Sequence, residues 1–178
     1  QLDKGGLISD DRANGGGNVS PMILERLSRE PYRLTMRRGS SLIGTVPDAV
    51  QVGPKVCLIN KYSASDGDLF PWGFRALSLG KLIGTRTWGG IIGISGPLPY
   101  MDGTDIRVPF FTSYDPKTGN WIIENHGVDP DILIDNDPIK EWNGEDQQLD
   151  RAIEEVMKQL KERKPLAPVP APRDWSHK

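Results

Sequence analysis

The sequence predicts an α/β domain, because two stretches of the chain each run from an apolar strand through a small-residue loop into an amphipathic helix. A third amphipathic helix is predicted near the carboxyl end. The chain has 178 residues, which is the usual length of one domain and long enough to bury a sizeable core. Residues 1–164 are therefore assigned to a single domain, and residues 165–178 to a separate tail.

The first unit starts with an apolar run over residues 6–10, which predicts a strand, and continues through the glycine-rich residues 14–18. The helix that follows has its apolar residues on one face: Val19, Ile23, Leu24 and Leu27. The second unit has a β-rich run over residues 56–60, a polar loop over residues 63–68 and a helical segment over residues 70–79. Pro71 lies in the first turn of that predicted helix, where proline is tolerated.

Later segments alternate between strands and turns before the last helix. Residues 82–84 predict a further strand, and residues 115–120 predict a hairpin turn between the apolar runs 108–111 and 121–123. The last helix shows helical spacing of its apolar residues: Leu149, Ala152, Ile153, Val156, Met157 and Leu160. It ends before the proline-rich tail, which is predicted to be extended or disordered.

Composition excludes several classes of protein. The chain carries 22 Lys and Arg against 24 Asp and Glu, a net charge of −2, which excludes a nucleic-acid binder driven by bulk charge. The single cysteine, Cys57, excludes an internal disulfide framework. No apolar run approaches the roughly 20 residues of a membrane span. One cysteine and no paired histidine motif argue against a metal site.

Ser65 is the leading candidate for catalysis, because it lies between a predicted buried strand and a predicted helix. Free backbone N–H groups at such a turn can stabilise an oxyanion, and the next N–H belongs to Asp66. The alternative interpretation is a helix-capping turn, since Ser and Asp are favoured N-caps. Gly16 and Gly17 are equally ambiguous: they allow close approach of the backbone to a ligand, or they form a permissive turn. Two histidines are present, His126 in a loop and His177 in the tail.

Four blocks in order resemble the family of C-terminal-processing and tricorn peptidases: residues 10–20, 60–68, 84–90 and 124–131. The resemblance implies a crotonase-like α/β fold, serine endopeptidase activity on peptides, no cofactor, a ring-like homo-oligomer and a cytoplasmic location. In the Ser–Lys branch of this family the general-base lysine would stand at Gly90, and glycine cannot accept a proton. The sequence therefore resembles the tricorn branch, which uses a Ser–His–Ser–Glu tetrad.

Within that branch the resemblance makes Ser65 the nucleophile and Glu124 the supporting carboxylate of the tetrad. Gly16 and Asp66 would supply the oxyanion-hole amides, with Gly17 as the alternative to Gly16. The histidine and second serine of tricorn relatives precede the glycine block, but no histidine occurs before Gly15 here. With no initiator Met either, we expect the C-terminal part of a longer or cleaved polypeptide, inactive without the preceding part.

Two further features bear on substrate and function. The acidic residue with which the tricorn branch selects basic substrates would fall at residues 33–36, and no carboxylate is there, so cleavage after Lys or Arg is not indicated. Two other functions stay open, a catalytically inactive peptide-binding module and a crotonase-type acyl-CoA enzyme. The second would need a basic phosphate-binding cluster, for which Arg37 and Arg38 alone are too few.

Overall fold

The computed structural model describes residues 4–40, 42–95 and 99–171 of the chain. Its first half contains β1 (Leu7–Asp10), α1 (Ser20–Leu27), β2 (Arg33–Met36), β3 (Ile43–Val46), β4 (Lys55–Ile59) and α2 (Asp66–Ala76). Its second half contains β5 (Gly80–Gly84), β6 (Gly93–Ser95), β7 (Val108–Phe111), β8 (Ile132–Leu133), α3 (Pro138–Trp142) and α4 (Gln147–Glu162). Helices cover both faces of a parallel sheet, and the predicted α/β class is confirmed.

The central sheet has four parallel strands in the order β1, β4, β5, β8. Successive side chains of a strand point to opposite faces. Val56 and Leu58 of β4 consequently pack with α4, whereas Cys57 and Ile59 pack with α1 and α2. Because β1 and β4 are adjacent and parallel, their carboxyl ends meet at one edge of the sheet. The two loops with catalytic candidates begin at this edge, which is where open α/β sheets bind ligands.

Helices α1 and α2 approach each other closely at Gly73. A Cβ atom at this position would lie 2.4 Å from Cδ1 of Leu24 on α1. Since Leu24 belongs to the core that α1 shares with α2, a larger residue at Gly73 would separate the two helices. The small Gly73 therefore permits the close packing of α1 on α2.

Helix α2 begins earlier than predicted. The sequence pattern indicates a helical segment over residues 70–79, but the helix runs from Asp66 to Ala76 with Pro71 inside it. The reason is a local cap: the N–H of Ser65 donates to Oδ2 of Asp68 at 2.9 Å, which supports a start at Asp66. Proline removes only one helical N–H donor, and Pro71 packs in a fully buried position.

The β-rich middle of the chain pairs differently from the prediction. The turn at residues 115–120 is confirmed, since the N–H of Asp115 donates to the carbonyl of Asn120 at 2.9 Å. The strands predicted to flank it do not form a ladder, because β7 pairs antiparallel with β6. Only an isolated bridge, Tyr114 to Trp121, extends the turn. The β2–β3 hairpin was not predicted, and most of its residues are exposed.

The last predicted helix is confirmed as α4. Only part of its apolar stripe is buried: Ala152 and Val156 pack on the sheet, whereas Ile153 and Met157 remain exposed. Residues 163–171 form neither helix nor strand, and residues 172–178 lie outside the described part of the chain. The boundary between domain and tail stays a prediction. In the described residues, no helix is both long enough and apolar enough to cross a bilayer.

Candidate active site

Ser65 lies in an exposed turn between β4 and α2, as the sequence predicts. Its backbone has φ 58° and ψ −114°, a conformation that non-glycine residues rarely adopt and that costs on the order of 1–3 kcal/mol. The surrounding hydrogen bonds hold it there: the Ser65 N–H donates to Asp68, and the N–H of Gly67 donates to the carbonyl of Ala64 at 2.9 Å. The hydroxyl is therefore presented on a strained, fixed turn at the edge of the sheet.

Asp66 is the first residue of α2, so its N–H has no acceptor within the helix. Its side chain is buried and binds the start of α1. Oδ2 accepts from the N–H groups of Val19 and Ser20, each at 3.1 Å, and the Ser20 hydroxyl donates to the Asp66 carbonyl at 3.2 Å. Asp66 thus caps α1, whose own N-cap residue Val19 provides no side-chain cap. Sequence reasoning considered the Asp66 amide and a capping turn for the following helix, and missed this contact with α1.

The glycine loop lies directly against Ser65. A Cβ on Gly16 would lie 3.0 Å from Cβ and 3.3 Å from Oγ of Ser65. Gly16 and Gly17 have φ of 125° and 149°, which disfavours any other residue. The Gly16 N–H donates to Oδ1 of Asn14 at 3.1 Å, while the Asn14 carbonyl accepts from the N–H of Ala64 at 2.8 Å. The fold therefore brings Gly16, Ser65 and Asp66 together.

Asp68 joins the Ser65 turn to a third segment. Its carboxylate is fully buried and accepts from the N–H groups of Ser65, Gly89 and Gly90 at 2.9, 2.7 and 3.1 Å. Sequence reasoning did not single out this residue. The available signal was its position three residues after Ser65, the spacing of a capping box.

Glu124 continues the same series of contacts. Its Oε2 accepts from the N–H groups of Ile91 and Ile92 at 2.7 and 2.9 Å, and the N–H of Asn125 donates to the carbonyl of Gly89 at 2.7 Å. The carboxylate is half-buried. The two residues bound by Glu124 directly follow Gly89 and Gly90, which Asp68 binds. Glu124 is not hydrogen-bonded to Ser65 itself.

The remaining candidates lie apart from the turn. His126 places Nε2 2.7 Å from Oδ2 of Asp129, and both side chains are more than half exposed. His177 lies outside the described residues. Gly90 packs against the ring of Trp88, since a Cβ on Gly90 would lie 2.0 Å from Cζ3 of that ring. Across the three described ranges, no three His, Cys, Asp or Glu side chains form a group that could hold a metal ion.

Comparison with known proteins is consistent with this geometry. The sequence model described as peptidase family S41 matches residues 2–134. The chain belongs to peptidase family S41. The tricorn protease of Thermoplasma volcanium is 41% identical over 164 residues, which cover 92% of this chain and 16% of that protein. The tricorn protease homolog 1 of Streptomyces coelicolor is 39% identical over 157 residues, covering 88% of this chain and 14% of that protein.

A crystal structure of the tricorn protease shares the fold with a TM-score of 0.81 and 38% identity, over 90% of this chain and 16% of that chain. The predicted resemblance and fold are thereby confirmed. This S41 chain spans only about a sixth of the length of these relatives.

Proposed function

We propose that this S41 chain provides the nucleophile and the oxyanion-binding groups of a serine endopeptidase of the tricorn type, which hydrolyses peptides or unfolded protein. The observation that carries the proposal is the convergence at the sheet edge. The Ser65 hydroxyl and the first N–H of α2 come from one turn and the glycine loop from another segment, and the two meet where two parallel strands end. A nucleophile beside free backbone donors is the arrangement that acyl transfer requires.

In the proposed reaction, Oγ of Ser65 attacks the carbonyl carbon of the scissile bond and a histidine accepts the hydroxyl proton. The same histidine then protonates the leaving amine, and water hydrolyses the acyl-enzyme by the reverse sequence of proton transfers. The Asp66 N–H is one proposed oxyanion donor, a contact worth about 3 kcal/mol in the transition state. The second donor comes from the glycine loop. Since Asn14 already accepts the Gly16 N–H, the pairing favours the Gly17 N–H for this role.

The proposed base lies outside these 178 residues. His126 is paired with Asp129 on an exposed loop, and the family resemblance places the tetrad histidine and second serine before the glycine block. Glu124, which accepts the N–H groups of Ile91 and Ile92, is proposed to support that histidine network. Assembly into a homo-oligomer is part of the same proposal.

Labelling with a fluorophosphonate tests the proposal. We expect a polypeptide that extends this chain on its amino-terminal side to label at Ser65, and the 178-residue chain alone to label at least a thousandfold more slowly. Ser65→Ala should abolish labelling and peptide hydrolysis, while Ser28→Ala, which removes an exposed hydroxyl elsewhere, should preserve both.

Two outcomes would contradict the proposal. Failure of every extended form to label at Ser65 would favour a peptide-binding module or an acyl-CoA enzyme. Rapid hydrolysis by the purified 178-residue chain would place the base within it.

A further inference from the structure

Asp11 is a buried carboxyl group that the proposed reaction does not use. It directly follows β1, and only 7% of its surface is exposed. Its Oδ1 accepts from Nδ2 of Asn14 at 2.9 Å. In the described part of the chain, Oδ2 has no hydrogen-bond partner and is shielded from solvent. A carboxyl oxygen left in this state is costly and requires an explanation.

Among the residues that the structure describes, no cation pairs with Asp11. The adjacent Arg12 instead pairs with Asp10 and Asp146, at 2.6 and 2.8 Å. Within the described residues, the groups that face Asp11 are the carboxylates of Asp10 at the end of β1 and of Asp66 and Asp68 on α2, together with the buried thiol of Cys57 on β4.

Burial raises the pKa of Asp11 to about 7, against the opposing hydrogen bond from Asn14 and with a further rise from the carboxylates of Asp66, Asp10 and Asp68. The neutral acid therefore suits this site. A proton on Oδ2 leaves Oδ1 free to accept from Asn14.

Asn14 connects Asp11 to the loop that faces Ser65. Its side chain donates to Asp11 and accepts from the Gly16 N–H at 3.1 Å. Its carbonyl accepts from the N–H of Ala64. Gly16 packs directly against Ser65, since a Cβ on Gly16 would lie 3.0 Å from Cβ and 3.3 Å from Oγ of the serine. A continuous series of contacts thus runs from Asp11 through Asn14 and Gly16 to the Ser65 turn.

We propose that Asp11 is a positioning residue which, through the side chain of Asn14, sets the geometry of the Gly16–Gly17 backbone at Ser65, and does so in its neutral form. The inference rests on the proposed role of Ser65 as nucleophile. Ionisation would place an uncompensated charge among three carboxylates and drive the side chain to reorient. A cavity of about 320 Å³, lined by Asp11, Asn14 and Asp66 among others, provides room for that movement. When Asp11 reorients, Asn14 loses its acceptor and the Gly16 N–H loses its fixed partner.

NMR titration tests this positioning without any assay of activity. In the unmodified chain, the carboxyl carbon of Asp11 should titrate near neutral pH, and the side-chain amide of Asn14 and the backbone amide of Gly16 should shift with the same midpoint. In Asn14→Ala, Asp11 should still titrate but Gly16 should no longer follow. A midpoint below pH 5 for Asp11, or a Gly16 resonance that does not follow it in the unmodified chain, would overturn the proposal.

Labelling of Ser65 by a fluorophosphonate then links positioning to chemistry, in an extended form of the protein that labels. The ratio of the labelling rate of Asp11→Asn to that of the unmodified protein should rise at least threefold between pH 6 and pH 8, because Asn remains neutral. Asp105→Asn, an exposed control, should leave the ratio unchanged. A constant ratio for Asp11→Asn would overturn the catalytic consequence. If no form labels at Ser65, the proposed function fails, while the NMR titration still decides whether Asp11 positions the loop.

Discussion

Around Ser65, buried carboxylates accept backbone N–H groups from several segments, whereas the β6–β7 hairpin exposes its apolar side chains and is held by its own ladder. Asp66 and Asp68 together bind N–H groups of residues 19, 20, 65, 89 and 90. On the hairpin, Phe110 is 75% exposed and Ile94 is 62% exposed. Buried polar groups therefore hold the backbone of the candidate site in place.

The two regions should therefore respond differently to substitution. Removing a buried acceptor leaves several donors unpaired, which lowers the free energy of unfolding. Removing an exposed apolar side chain changes the free energy of unfolding little.

The largest effect on stability at a fixed, neutral pH is expected for Asp68→Ala. This change leaves the N–H groups of Ser65, Gly89 and Gly90 without their acceptor, and should lower the free energy of unfolding by about 3 kcal/mol. Asp68→Asn, which keeps one oxygen, should lose less. Chemical denaturation measures both, with Asp105→Ala as the matched control, because that carboxylate is exposed and ion-paired at the surface. A loss below about 1 kcal/mol for Asp68→Ala would remove the distinction between the two regions.

The next effect is the pH dependence of stability that Asp11 introduces. Because burial raises the folded-state pKa of Asp11 from 3.8 to about 7, its neutral form contributes stability below pH 4 that is lost as the pH rises through 7. The stability of Asp11→Asn relative to the unmodified protein should therefore increase from pH 4 to pH 7, by at most about 1.4 kcal/mol per pH unit. Denaturant midpoints at pH 4.5, 6 and 8 measure the difference, and a difference independent of pH would contradict the assignment.

A smaller effect on activity is expected for His126→Gln. His126 lies two residues after Glu124 but pairs with Asp129 at the surface, so its loss should reduce kcat/KM less than tenfold, or under about 1.4 kcal/mol. The measurement needs a form of the protein that hydrolyses peptides. A thousandfold loss would instead identify His126 as the base.

The smallest effect is expected for Phe110→Thr on the exposed hairpin. Threonine and phenylalanine both favour strands, and the exposed phenylalanine ring has little burial to lose, so the free energy of unfolding should change by less than about 0.5 kcal/mol. Thermal unfolding of the chain measures this change. A loss above about 1.5 kcal/mol would show that the hairpin contributes to the core, contrary to the comparison.

Local patterns were sufficient for the order of the main elements and for the position of Ser65. Strand, loop and helix leave signatures within about ten residues, through side-chain periodicity and turn-forming residues. The same locality explains the confirmed turn at residues 115–120 and the confirmed helix α4. Adjacent, parallel β1 and β4 then bring the glycine loop to Ser65.

Only the tertiary structure decided which polar groups share a buried site. Asp66 caps a helix that begins 46 residues earlier, and Asp68 binds a segment more than 20 residues later. Strand β7 pairs with β6 and not with the run at residues 121–123, which is nearer in sequence. The neighbouring Arg12 does not pair with the buried Asp11, because its guanidinium binds Asp146, a residue 134 positions away. These contacts depend on the free energy of desolvation and on distant partners, neither of which leaves a periodic trace along the chain.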